Sequence, residues 1–187
     1  MKKIGITGSL ASGKTTASKI LSSKGPFFSA DAFVKKLYAK VSFRNLLSKK
    51  FRLKKNVNLK HSIRKKISEN KLNLKKLEKI IHPLVRSEMK RFQKKNRKNK
   101  FIFFEIPLLI ESKLMKNFDI IIFIKARKSL RIRRFINKGG NKELFSIFDK
   151  KQLSENKKIK FCDYVVVNEK NKKILKKKLL YILKSYE

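Results

Sequence analysis

The sequence predicts a three-layer α/β/α fold built on a parallel sheet, on three observations. Short apolar runs recur along the 187 residues with helical segments between them, and strands that alternate with helices pair in parallel, covered on both faces. The first apolar run leads at once into a glycine-rich turn and a helix. Between residues 43 and 98 strand-like runs stop, and apolar residues fall at helical spacings only. A chain of this length makes one domain with one core, here interrupted by a helical insertion.

Lys3–Thr7 (KIGIT) is the first strand, and Thr15–Ser23 (TTASKILSS) begins the first helix. Between them, GSLASGKTT fits G-x-x-x-x-G-K-[ST]. Composition alone would produce on the order of 0.004 such matches in this chain, and the strand–turn–helix context is the one the motif requires. The fold is therefore of the P-loop NTPase type. Backbone N–H groups of Ser9, Leu10, Ala11, Ser12, Gly13, Lys14 and Thr15 would point into one concavity, with Thr16 beside it. The helix N-terminus adds partial positive charge there. Lys14 would reach the β- and γ-phosphates of ATP, and the Thr15 hydroxyl would bind Mg²⁺.

Pro26–Ser29 reads as a short strand ending at Asp31, and Asp31–Ala39 as a helix. In the insertion, Leu46, Leu47, Phe51 and Leu53, then Leu74, Leu77, Ile80 and Ile81, recur at helical spacings among lysines. Phe101–Ile106 (FIFFEI) and Asp119–Ile124 (DIIIFI) are buried strands. Arg127–Ile136 is a basic helix leading to a Gly139-Gly140 loop. Tyr164–Val167 (YVVV) is the last strand, followed by an amphipathic helix over Lys170–Tyr186.

In such a sheet the ligand lies at the carboxyl ends of the strands. Acids at those ends stand out, because only 13 of the residues are acidic. Asp31 follows the second strand and Glu105 sits near the end of FIFFEI. A carboxylate in an apolar run is costly without a cation or hydrogen bonds. Mg²⁺, bound directly or through water, would supply the cation at Glu105.

The net charge is +39, from 52 basic residues. Nucleic acid is one partner such a charge would suit. The basic residues are mostly lysine and are spread along the whole length, which reads as lysine-filled solvated faces. No nucleic-acid partner is expected, and the positive field would still attract anionic nucleotides. MKKIGITGS turns polar too soon for a signal peptide, and no apolar run reaches membrane-spanning length. The single Cys162 excludes an internal disulfide and fits a reducing compartment. The expectation is a cytoplasmic monomer with no membrane partner.

GSLASGKTT, SADAF, LEKIIHPLV, EIPLLIES and DYVVVN occur in that order. Together they resemble the dephospho-coenzyme A kinase family, from Lys3 to about Asn168. HPLV and PLLIE are more specific to that family than the phosphate loop. The resemblance implies transfer of phosphate from ATP to the 3′-hydroxyl of the ribose of dephospho-CoA. The products are CoA and ADP, in the last step of coenzyme A biosynthesis. It also implies a single domain over 1–187, with core 1–42 and 99–187. A substrate-binding insertion would span about 43–98 and a lid about 134–152.

By position, the resemblance makes Asp31 the catalytic aspartate beside Lys14. An acceptor there can orient the hydroxyl and take its proton. It places His82 and Pro83 at the dephospho-CoA pocket, with Leu108 and Glu111 along the neighbouring turn. Arg133 is the lid arginine, and Gln152 and Asn168 fall near the lid base and the adenine of ATP.

The chain also departs from the family pattern. Ser29 stands where the family often has an aspartate, and Asn137-Lys138 where a second lid arginine is expected. A lysine neutralises phosphate without arginine's bidentate fork. Lys60 or His61 replaces an arginine of the insertion. Two other classes compete with this reading. One is a P-loop kinase of another nucleotide or metabolite, which the joint occurrence of HPLV and PLLIE argues against. The other is a nucleic-acid-associated ATPase. Against it stand the lack of a second domain and of aromatics clustered with arginine.

Overall fold

The structure is a computed structural model that describes residues 1–53, 58–70 and 72–187. The chain divides into two compact units, Met1–Ser29 with Asn96–Glu187, and Ala30–Lys95.

The first unit carries the sheet. Its strands are β1 (Lys2–Gly8), β2 (Phe27–Ser29), β3 (Phe101–Glu105), β4 (Ile120–Lys125) and β5 (Tyr164–Val167). They lie in the order β2-β3-β1-β4-β5, all parallel. β1 is central because KIGITG offers apolar or small residues to both neighbours: Ile4 and Ile6 are fully buried. β5 is an edge strand and leaves Val165 and Val167 exposed. Helix α1 (Lys14–Leu21) follows β1. It presents Ala17, Ile20 and Leu21 to the sheet at i, i+3, i+4, and these close on Ile4, Phe103 and Ile122.

The second unit is helical: α2 (Ala30–Ala39), α3 (Val41–Phe51), α4 (Leu59–Glu69) and α5 (Leu72–Lys95). Leu37, Phe43, Leu47, Phe51 and Ile63 form its centre, with Leu77, Ile80 and Ile81 packed against them. Leu46 and Leu74 keep the helical period yet stay exposed. The unit begins at Ala30 rather than near residue 43, because α2 packs on α3 and α5. Pro83 sits inside α5, where its nitrogen cannot donate to the carbonyl one turn back.

The first unit resumes with β3. Beyond β4 come α6 (Lys128–Ile136), α7 (Lys142–Lys150) and α8 (Glu155–Ile159). Helix α9 (Lys172–Lys184) closes the chain. Its Leu175, Leu179, Ile182 and Leu183 share one face and complete the core beside α1. Each such side chain, fully buried, contributes about 1.5–3 kcal/mol. Among the described residues the buried lysines are Lys14 and Lys158. No described helix is long and apolar enough to cross a membrane.

Candidate active site

The phosphate loop forms where β1 ends, and two glycines make its shape possible. Gly8 has φ +151° and Gly13 has φ +102°, a region that side chains with a Cβ disfavour. A Cβ on Gly13 would also collide with the Asn168 amide, and one on Gly8 with the Ile124 carbonyl. Gly13 is the N-cap of α1, so the loop opens onto a helix N-terminus and its partial positive charge.

Lys14 is buried and folds back over the loop. Its ammonium donates to the carbonyls of Gly8 (3.1 Å) and Ser9 (2.8 Å). The Thr15 hydroxyl donates to Glu105 Oε1 at 2.6 Å. Glu105 ends β3, in register with Ile6 of β1 and Ser29 of β2. It is 3% exposed, and its second oxygen, Oε2, has no hydrogen-bond partner among the described residues. A buried carboxylate with an unused oxygen beside a threonine hydroxyl has the hard oxygen donors that Mg²⁺ takes. The described residues hold no group of three or more His, Cys, Asp or Glu able to bind a metal. A metal here would therefore complete its shell with water and phosphate oxygens, the usual state of Mg²⁺.

Asn168, at the end of β5, donates from Nδ2 to the Ser12 carbonyl (2.8 Å). Arg134 joins it, donating to the carbonyls of Ser12 (3.2 Å) and Asn168 (3.0 Å). Burial, with Arg133 beside it, lowers the Arg134 guanidinium from its ordinary value, and arginine remains charged there. A cleft of about 330 Å³ opens here, lined by Ala11, Gly13, Thr16, Arg134, Lys138 and Asn168 among others. That volume is in the range of small-molecule sites.

Arg133 is exposed and lines a separate hollow with Arg127 and Leu130. The side chain that reaches the loop from α6 is its neighbour Arg134. The sequence carried a signal for this: Arg131 and Arg134 are three apart and share a helix face, and Arg133 does not lie on it. Arg131 also reaches the loop, donating to the Leu10 carbonyl at 3.3 Å.

Glu111 lies beyond β3, where Oε1 takes the Lys158 ammonium (2.7 Å) and the Leu153 amide (3.1 Å). Lys158 is fully buried and also bonds Gln152 Oε1 at 3.0 Å. Leu108, in the same turn, is exposed. The remaining candidates belong to the second unit. Asp31 is exposed in the first turn of α2, two residues after β2 ends. His82, half-buried, and Pro83, exposed, sit within α5.

Comparison with known proteins fits this geometry. The profile of the family described as dephospho-CoA kinase matches residues 2–173. A dephospho-CoA kinase of Rickettsia conorii is 34% identical, over 100% of this chain and 98% of that one. A dephospho-CoA kinase of Fusobacterium nucleatum is 36% identical over 94% of each chain. The crystal structure of a Thermus thermophilus protein matches with a TM-score of 0.86 at 25% identity. That match covers 98% of this chain and 97% of the other. A phosphate loop on a five-stranded parallel sheet and relatives matched nearly end to end lead to one conclusion: the chain belongs to the dephospho-CoA kinase family.

Proposed function

We propose that this chain transfers the γ-phosphoryl group of ATP to the 3′-hydroxyl of the ribose of dephospho-CoA, giving CoA and ADP. The observation that carries the phosphotransfer chemistry is the buried Glu105, bonded to Thr15 at the mouth of the phosphate loop. The acceptor comes from the full-length relatives, which are named dephospho-CoA kinases.

Phosphoryl transfer leaves the protein little covalent work, so its residues position reactants and neutralise charge. The loop amides from Ser9 to Thr16 receive the phosphates of ATP. Lys14 leaves the Gly8 and Ser9 carbonyls for the β- and γ-phosphates. Asn168, with Arg134 or Arg133 from α6, borders the nucleoside end. Thr15 and Glu105 would hold Mg²⁺, which would supply positive charge to the transfer. Asp31 follows the strand whose last residue is in register with Glu105. It accepts a hydrogen bond from the 3′-hydroxyl and takes its proton as the new O–P bond forms.

His82 and Pro83 shape the acceptor pocket, and Leu108 lines it. Glu111, already tied to Lys158, acts by holding the turn that carries Leu108. The segment over about 134–152 serves as the lid and 43–98 as the acceptor-binding insertion. The reaction takes place in the cytoplasm, on a monomer.

ADP release measured with dephospho-CoA, AMP, CMP, shikimate and single-stranded DNA as acceptors tests this reading. Dephospho-CoA should stimulate far above the rest, with CoA as product. Equal stimulation by DNA would overturn it. In the same assay Asp31→Asn should lower single-turnover transfer by roughly 10²-fold with ATP affinity little changed.

A further inference from the structure

The phosphate loop is gripped from outside by a charged cluster around the buried Arg131 that the catalytic scheme does not use. Ser9 Oγ donates to Glu155 Oε1 of α8 at 2.6 Å. The next residue, Leu10, gives its carbonyl to Arg131 Nη1 of α6 at 3.3 Å. Arg131 in turn donates to Asp149 of α7, at 2.6 Å from Nη1 and 3.5 Å from Nη2. Its Nε lies 3.7 Å from the Glu155 oxygen that Ser9 occupies. The guanidinium is stacked over the Phe145 ring of α7, 5.4 Å from its centroid. The Arg131 side chain is 6% exposed.

Geometry and cost both argue that this cluster does more than tie three helices together. A buried arginine is costly unless its donors are used, yet Arg131 Nε has no hydrogen bond among the described residues. The Glu155 oxygen nearest to it is bonded to the loop instead. The cluster thus leaves a donor of its own unsatisfied while it holds Ser9. Ser9 and Leu10 also lie in the stretch where a glycine-rich chain has most freedom, directly after Gly8. An anion site works best when its amides converge before the anion arrives, because ordering them on binding costs affinity.

We propose that Glu155 and Arg131 are positioning residues for the phosphate loop: they fix the Ser9–Leu10 turn in its anion-receiving shape and so make nucleotide affinity depend on the seating of α7 and α8. The inference rests on nucleotide binding at this loop and is indifferent to the acceptor. Glu155 and Asp149 need not touch nucleotide. Asp149 acts at one further remove, through Arg131.

Calorimetric titration with ADP and Mg²⁺, with no acceptor present, tests the proposal. Glu155→Gln keeps the shape of the side chain, and Ser9→Ala removes the same bond from the loop side if the first variant fails to fold. Each should weaken ADP binding roughly tenfold, the scale of one charge-assisted hydrogen bond. The double variant should be no more than about twofold weaker than the worse single one, because Glu155→Gln takes the charge from the same bond that Ser9→Ala removes whole. Single turnover by Glu155→Gln at saturating ATP should stay within about threefold of the parent. Asp149→Asn should weaken ADP binding less than Glu155→Gln does. ADP affinity within twofold of the parent in Glu155→Gln, or tighter binding from relief of charge repulsion, would overturn the proposal. So would fully additive losses in the double variant. An acceptor other than dephospho-CoA would leave the titration unaffected and would count against the proposed function alone.

Discussion

Glu105 and Glu111 stand at the two ends of the segment EIPLLIE, and both have a buried Oε2 without a hydrogen bond among the described residues. Their other oxygens differ. Glu111 Oε1 meets the buried ammonium of Lys158 and the amide of Leu153. Glu105 Oε1 meets the hydroxyl of Thr15. An ammonium balances a buried carboxylate, and a hydroxyl donates without cancelling the charge. The first acid is therefore part of a strut, joining the turn after β3 to the α7–α8 turn. The second is suited to an incoming cation, in line with the proposed Mg²⁺ role. Each buries one carboxylate oxygen, and the partner of the other oxygen separates them.

The sharpest way to break this comparison is to remove the ammonium. Lys158→Met leaves the partly buried Glu111 with its cation gone, a change that costs up to about 3–5 kcal/mol. For a chain of this size that is a fall in Tm of roughly 6–20 °C, read by thermal unfolding. Lys158→Met combined with Glu111→Leu should recover most of the loss, since an apolar pair can replace a buried ion pair. A single variant within 1 kcal/mol of the parent would show that Glu111 is not held by charge.

The matching change at the other end is Glu105→Gln. Here the carboxylate is lost without stranding a partner charge, so unfolding temperature should hold or rise. Transfer should suffer instead, by about 10²-fold in single turnover, or about 2.7 kcal/mol of barrier. The Mg²⁺ concentration for half-maximal rate should move upward. If Glu105→Gln destabilised the fold as Lys158→Met does and left the Mg²⁺ midpoint in place, the two acids would have the same role.

This contrast also marks where the sequence was readable. KIGIT, FIFFEI, DIIIFI and YVVV announce their strands because a strand covered on both faces is apolar throughout. The phosphate loop is a local motif, and Glu105 is visible as an acid inside an apolar run. Lys158, Arg131, Asp149 and Glu155 carry no such mark. With 52 basic residues in the chain, a lysine destined for the interior looks like any other, and its carboxylate partner, Glu111, lies far away in sequence. The same holds for the boundary at Ala30. Helix α2 reads as the continuation of the core, and its apolar face, Leu37 with Phe33 and Tyr38, belongs to the helical unit.

The smallest effect expected is at Cys162, which reports on the strut from within. Its thiol donates to the Lys158 carbonyl at 3.2 Å. Burial pushes the thiol up to about 12, Asp163 adds to the rise, and the Lys158 ammonium opposes it. The thiolate is the reactive form, so at pH 8 the protein should react with a thiol reagent far more slowly than a free cysteine does. It is the only cysteine in the chain, so the rate reads one site. Removing the Lys158 charge has two consequences of opposite sign. Loss of the ammonium raises the thiol further and slows reaction. Loosening of α8 returns water to the sulfur and speeds it, and desolvation is the larger of the two causes. Lys158→Met alone should therefore react several-fold faster than the parent. In the Lys158→Met/Glu111→Leu protein, where packing is restored and the charge stays absent, reaction should be a few-fold slower than the parent. Equal rates in the two variants would mean that α8 keeps its place without the ion pair, and that Lys158 does not anchor it.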